Sequence, residues 1–450
     1  MSRAVRILSC CLLLVSVSIS CDEVLEPQPV DILTDDLVLN EPKDVPNVEI
    51  GLYSAFRGII TNAVISGDFT ADMLLHNGTF SQYRELGTKQ ITAANASAAG
   101  MWSNIYSAIY VANFIFERLP SVQGVTTAQR NQTLGTAHLL RGLSYFYGLY
   151  TFGGIPNVTT TAIDDNRNIP RATRDEILEL IVRDYEEALA LLPNEPVNVG
   201  FVGKDAARAA LARYYLYNRQ WVQAENFASA VIASGRYTLE PNFATVALQD
   251  FTDEAIFEIG YNITDDPGTL NNLFKSRREI IPSNQVVVAL ASDESGDRFT
   301  SIEFDVDDLG GTDNGWTVSK YGTADEDNNN VVVFRLGEML LIRAEARAQQ
   351  NKISGSDGAL ADLNALRTRA KASTVTNASQ SQTIQLVEDE RRMELAFEGH
   401  RWYDLVRTNR ANAVMSVFSA NWRSAYELWP IPQTEIQNNP SLVGQQNPGY

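Results

Sequence analysis

The sequence predicts a mainly α protein: a scaffold of helix pairs interrupted by irregular loop insertions. Three observations predict it. Apolar residues recur at i, i+3 and i+4 through most of the chain. The segments Ala206 to Tyr217 and Gln220 to Ser234 are joined by only Asn218 and Arg219, which makes them an antiparallel pair. Two stretches, about 62–100 and 237–334, break the helical rhythm with Gly, Asp, Asn and Pro and read as loops with a little strand.

The chain opens with Arg3 and Arg6, an apolar run from Ile7 to Ile19, and Ser18 and Ser20 flanking Cys21. As a helix that run reaches about 20 Å, short of a roughly 30 Å hydrocarbon core, so residues 1–20 read as a signal peptide rather than a membrane span. Cys10, Cys11 and Cys21 are the only cysteines. Cleavage before Cys21 leaves a single thiol at the start of the mature chain. Lipid attachment at Cys21, as in bacterial lipoproteins, accounts for it. Residues 21–46 are polar and rich in Asp, Glu and Pro, the composition of an extended tether. The folded domain is expected over 47–450.

Within it, Val48 to Ile60 is the first amphipathic helix. Met101 to Leu119 follows, carried by Trp102, Ile105, Tyr106, Ile109, Ala112 and Ile115, and ends before Pro120. Ala128 to Tyr150 stops at Gly153–Gly154. Arg174 to Leu192 begins after Thr173, an N-cap with Glu176 three residues on. In the pair across Asn218, the residues Leu211, Ala212, Tyr215, Trp221 and Ala224 carry the large-small-aromatic pattern of a tetratricopeptide unit. Trp102, Trp221 and Trp402 lie on helix faces and are expected in the core. A second pair is expected at Phe334 to Gln350 and Asp357 to Ala372.

The last pair contains an unusual face. Ile384, Val387, Arg391, Glu394, Leu395, Glu398 and Trp402 share it, mixing apolar and charged side chains. Buried charges must be paired. Glu394 and Glu398 stand at helical spacing from Arg391, so pairing along the helix is expected, with Gly399 supplying the left-handed turn that closes it. This is the pattern of an ion-paired clamp rather than of an acid/base site at His400.

Composition narrows function. The 450 residues are 44% hydrophobic and 20% charged, with a net charge of −19 that argues against nucleic acid and against docking on an anionic membrane. His76, His138 and His400 fit no metal-ligand spacing, and no Walker A, G-x-S-x-G or G-x-G-x-x-G motif occurs. No cofactor is expected; paired carboxylates for glycoside hydrolysis stay open among 55 Asp and Glu, with nothing to single out two of them, as does a helical adaptor that binds only protein. The acidic stretch Asp293 to Asp313 and the run at 325–327 lack EF-hand spacing and read as solvated loop. More informative are Phe80, Tyr83, Trp316 and Tyr321, aromatics in polar surroundings within the insertions. Flat rings there suit stacking on neutral sugars, with carboxylates such as Asp72 to accept from hydroxyls.

Several runs now point to one family. ERRMELAFEGHRWYDLVR (Glu390 to Arg407), WSNIYSAIYVANFI (Trp102 to Ile115), HLLRGLSYFYGLYTFGGIP (His138 to Pro156), the central pair from Lys204 to Leu239, RLGEMLLIRAEA (Arg335 to Ala346) and the closing segment from Leu428 to Tyr450 resemble, in order, motifs of the SusD/RagB nutrient-binding lipoproteins of Bacteroidota. His138 departs from that family's usual acidic helix entry. The resemblance implies an α-helical superhelix with tetratricopeptide-like pairs, and a non-enzymatic role. It further implies binding of an oligosaccharide, polysaccharide or other nutrient, and a SusC-like TonB-dependent transporter as partner. Asp22 and Glu23 after Cys21 suit display at the cell surface, anchored to the outer membrane by lipid. Ligand contacts vary within the family, so Trp316, Tyr321, Phe80, Tyr83 and Asp72 are expectations from this chain's residues alone.

Overall fold

The structure is a computed structural model and describes residues 38–261, 269–305, 312–322 and 330–450. It is mainly helical, and its long helices are α1 (Val45–Val64), α2 (Ala96–Arg118), α3 (Thr127–Phe152), α4 (Arg174–Leu191), α5 (Lys204–Tyr217), α6 (Trp221–Ile232), α7 (Leu336–Gln349), α8 (Ala359–Arg369) and α9 (Gln380–Glu394). The short α10 (Arg401–Arg407) follows.

The helices pack as sequence neighbours, α1 on α2, α2 on α3, α3 on α4, α4 on α5, α5 on α6, and α6 onto α7 across the second insertion. Their ends are set by local chemistry. Thr173 and Glu176 form the expected capping box of α4. Ser379 and Gln382 form another at α9. Gly153, at φ 79°, ends α3 where an L side chain is disfavoured. In the α5/α6 pair, small Ala209, Ala212, Ala224 and Ala228 are fully buried, and Tyr215 stacks on Phe227 at 5.5 Å. Small residues at the contact let the two helices approach closely. One large apolar cluster runs through the molecule, and a second, from Leu340, Leu341, Leu363, Leu366 and Val387, joins α7, α8 and α9.

The structure differs from expectation at four places. Packing begins before residue 47: Leu39 and Val45 are buried, and a 3-10 turn at Pro42–Asp44 leads into α1. The first insertion is more ordered than its composition suggests. After α1 comes a π turn (Ile65–Phe69), then strand β1 (Leu74–His76) and a helix at Ser81–Thr88. Trp221 is only half-buried, unlike Trp102 and Trp402.

The fourth difference is at the C-terminal helix. α9 ends at Glu394, five residues before Gly399, and Phe397 already takes φ 66°. Gly399 does take the expected left-handed conformation, φ 81°, but in the turn beyond α9, where a Cβ on it would lie 2.6 Å from the Ala63 carbonyl oxygen. It meets Gly67 of the π turn so closely that a Cβ on Gly67 would lie 1.9 Å from the Gly399 carbonyl oxygen.

The strands form three antiparallel pairs among the described residues. β1 pairs with β3 (Ile280–Pro282), β2 (Ala255–Ile259) with β6 (Val331–Arg335), and β4 (Ile302–Phe304) with β5 (Trp316–Val318). The first of these joins the two insertions directly, with Leu75 opposite Ile281.

Candidate functional site

Two polar constructions stand out, one buried and one at the surface. The buried one surrounds the end of α9. Glu394 accepts from Arg335 Nη1 at 2.7 Å, from Arg298 Nε at 2.6 Å and from Arg369. Glu390 takes Arg298 and Arg367, Glu254 takes Arg335 and Arg369, and Glu398 takes Arg335 and Lys320. All these side chains are buried or nearly so. Arg391 pairs with Asp404 at 2.9 Å, not with Glu394 or Glu398. The expected pairing along the helix is therefore replaced by pairing between segments. The helix face points its carboxylates at a wall of arginines from 298, 335 and 369, and a guanidinium fork fits a carboxylate more favourably there than along the helix surface.

The electrostatics follow from this geometry. Burial alone would raise the Glu398 carboxyl, but Arg335 and Lys320 outweigh it and hold the group at about 2. His400 is enclosed, and burial pushes its imidazole down to about 4 despite Glu338 nearby. It stays neutral near pH 7 and its surroundings are those of a core residue.

The surface construction lies where the insertions meet. Glu279, just before β3, is buried and receives the backbone N–H groups of Thr79 at 3.0 Å and Phe80 at 2.5 Å. Its own carbonyl accepts from Asn77 and Gly78. Gly78 has no room for a side chain, since a Cβ would stand 1.9 Å from Glu279 Oε2. Next to it Arg278 donates to both oxygens of Asp313, at 2.7 and 2.5 Å, and to the Trp316 carbonyl at 3.1 Å. Asn77 reaches Asp313 at 3.3 Å. One network thus fixes the turn that carries Phe80 and the strand that carries Trp316.

On this seam the rings are partly open. The Arg277 guanidinium lies 4.4 Å over the Phe80 ring, and Phe80 is 6.2 Å from Tyr83. Trp316 opens β5 rather than lying in a free loop. It faces Phe304 across the strand pair at 5.2 Å and Phe299 at 5.6 Å. Phe304 is 51% exposed and Phe299 40%.

Two expected site residues are elsewhere. Tyr321 is 7% exposed, stacks on Phe274, and donates its hydroxyl to the Phe397 carbonyl at 2.7 Å. Asp72 is buried between Arg401 at 2.9 Å and Arg392 at 3.0 Å. Neither presents a face or a lone pair to the surface, because a polar sequence neighbourhood does not report what packs on it in space. The hydrogen-bonded network ties the segment bearing Phe80 and Tyr83 to the strand bearing Trp316, with Arg277 over Phe80 and Phe299 and Phe304 against Trp316, three residues that the sequence pattern does not single out. Phe299 and Phe304 lie in the acidic stretch read as solvated loop. The described residues of that stretch are instead tied down, with Asp297 on Lys371, Glu294 on Arg367 and Asp313 on Arg278. The residues at 325–327 and Cys21 lie outside the described residues. Among the described residues no cluster of His, Cys, Asp and Glu has the makeup of a metal site, and no helix is long and apolar enough to cross a membrane.

Fold and seam together define a helix-pair scaffold with an aromatic face built from its insertions. Comparison with known proteins gives that class a family. The SusD family matches residues 311–450, and a second family described as "Starch-binding associating with outer membrane" matches residues 32–216. SusD-like protein P38 of Formosa agariphila is 25% identical over 507 aligned positions, covering 98% of each chain. Starch-binding protein SusD of Bacteroides thetaiotaomicron is 35% identical over a shorter 138-residue stretch, 27% of this chain and 22% of that one. A solved laminarin-binding SusD-like protein superposes with a TM-score of 0.79 at 22% identity, over 91% of this chain and all of the other. Surface glycan-binding protein A of Bacteroides thetaiotaomicron gives 0.77 at 20%, over 92% of this chain and all of that one. The two family matches, the SusD-like relatives and the SusD-like structures together support a SusD/RagB family protein.

Proposed function

We propose that this protein binds a glycan at the cell surface, on the seam between its two insertions, and delivers it to a SusC-like TonB-dependent transporter. In this reading lipid on Cys21 anchors it to the outer membrane, and it performs no chemistry on its ligand. The observation that carries the proposal is the set of half-open rings on one hydrogen-bonded frame, Phe80 under Arg277 and Trp316 between Phe299 and Phe304. Aromatic faces offer C–H-rich sugar surfaces a stacking partner that is already in place. The relatives named for binding starch, laminarin and surface glycans support the ligand class.

Calorimetric titration with laminarin and starch oligosaccharides tests it. Binding in the micromolar to millimolar range, roughly −8 to −4 kcal/mol, is expected for one of them. Phe80→Ala and Trp316→Ala should each cost about 1–2 kcal/mol of that affinity, by analogy with interface hot spots. Undiminished affinity in both variants would place the ligand elsewhere. Release of reducing ends on incubation would replace binding by hydrolysis.

A further inference from the structure

A second site is built into the opposite side of the charged C-terminal helix. A cleft of about 350 Å³ opens between the α5–α6 turn, α7, α9 and α10. Arg219, Arg391, Arg407 and Arg410 face Glu345, Glu388 and Asp404 across it. The cleft therefore carries more cations than carboxylates, on a chain whose net charge is −19.

Each of its carboxylates is already engaged. Arg407 holds Glu345 through two hydrogen bonds, at 2.6 and 2.7 Å, and also reaches Asp404 at 2.7 Å. Arg410 holds Glu388 at 2.9 Å. Asp404 takes the Nε of Arg391. That leaves the other end of Arg391. Its side chain is buried, yet neither Nη1 nor Nη2 has a hydrogen-bond partner among the described residues. The Tyr217 hydroxyl, also buried and without a partner, belongs to the same neighbourhood, and the Tyr217 ring lies 5.3 Å beneath Arg407. Arg219 gives Nη2 to the Arg407 carbonyl and has no carboxylate partner among the described residues.

Buried guanidinium N–H groups without acceptors cost several kcal/mol if nothing fills the gap. Two parallel terminal nitrogens match the two oxygens of a carboxylate. We propose that this cleft binds a small carboxylic acid, its carboxylate taken by Nη1 and Nη2 of Arg391, with Arg219 drawing the anion in and Trp221 walling the opening. Arg391 thus has two roles on two edges, closing the core through Nε on Asp404 and receiving a ligand through its far end. The site shares no residue with the aromatic seam, and Phe80→Ala leaves it unchanged.

The mature chain is titrated with acetate, glucuronate and, as the neutral control, glucose, followed by Trp fluorescence and by melting temperature. Saturable binding of at least one acid is expected, with glucose unable to displace it. Arg219→Ala, at an exposed position, should weaken the acid several-fold with no change in melting temperature of the free protein. Arg391→Lys keeps a charge for Asp404 but loses the fork, and should weaken it about ten-fold or more. The proposal is overturned if the wild-type protein binds neither acid, if glucose displaces the bound acid, or if both variants bind like wild type. It is equally overturned if a crystal soaked in saturating acid shows only ordered water on Nη1 and Nη2.

Discussion

Glu394 and Glu279 are both buried carboxylates supplied with donors from far along the chain, and they do different work. Glu394 receives side chains, the guanidinium groups of Arg298, Arg335 and Arg369. Those forks are long and fix how α8, α9 and the strand segments pack against each other. Glu279 receives backbone, the N–H groups of Thr79 and Phe80. Backbone donors fix the path of a loop, and so where Phe80 stands. The same chemical group therefore specifies packing in one region and surface shape in the other. Which of the two it does depends on whether its partners are side chains or main chain.

The largest effect should come from breaking the first arrangement. Glu394→Ala leaves several buried guanidinium groups short of an acceptor and should lower unfolding free energy by about 3–5 kcal/mol in a urea titration. A variant as stable as the wild type would mean the arginines find other acceptors, and the contrast with Glu279 would lose its first half.

Acid titration sharpens the contrast next. Burial raises the carboxyls of Asp68 and Glu258 to about 7, so between pH 7 and about 4 the folded state takes up protons the unfolded state does not, and stability gains as pH falls. His400 opposes them. Burial among Glu338, Arg213, Arg391 and Glu398 lowers it to about 4, so between 6.5 and 4 the unfolded state is the better proton acceptor. Glu388, Glu390 and Glu435, also raised by burial, act with Asp68 and Glu258, while Lys89, lowered to about 7, acts with His400 just below neutrality, so a gain in stability is expected as pH falls from 7 toward 5. Below about 4.5 the arginine-held carboxylates Glu398 and Asp404, both depressed, must be protonated to unfold the chain's core, and stability is lost steeply. A melting temperature that falls steadily from pH 7 to 5 would refute this assignment.

The seam should respond more mildly and in a different observable. Glu279→Gln keeps one acceptor for two backbone donors and should cost about 1–3 kcal/mol of stability. It should also weaken glycan binding, since the Phe80 turn loses its frame. Lost stability with unaltered affinity would separate the loop from the ligand. The smallest effect is expected at Tyr321→Phe, which removes one buried hydrogen bond worth about 1 kcal/mol and leaves affinity untouched.

Much of the scaffold is legible in the sequence because it is made of local rules. Thr173 with Glu176, Gly153, and the short link at Asn218 and Arg219 each act within a few residues, and each is where the pattern places it. The ion-paired nature of α9 is legible too, since a helix face bearing Arg391, Glu394 and Glu398 among apolar residues has few other solutions. Its partners are not, because Arg298, Arg335 and Arg369 are brought by tertiary packing. The site is legible only in part for the same reason. Phe80 and Trp316 fall on the seam, but Tyr321 and Asp72 are covered by Phe274, Arg392 and Arg401, none of which adjoins them in sequence.

The contact between Asp68 and the Gly399 turn has a consequence for the order of events during synthesis. Asp68 accepts the backbone N–H groups of Gly399 at 2.7 Å and Arg401 at 3.1 Å, and Thr70 accepts from the Trp429 indole at 3.0 Å. A chain made N-terminus first presents Asp68 and Thr70 long before their partners exist. Contacts so distant in sequence are slow to close, and until they do the π turn and the arginine wall stand open, a state prone to aggregation. These contacts can close only once the last segment has been made. A protein cut before Gly399 loses both backbone donors to Asp68, the Arg401 partner of Asp72 and the Trp429 donor to Thr70, so C-terminal truncation should abolish the folded protein rather than trim it.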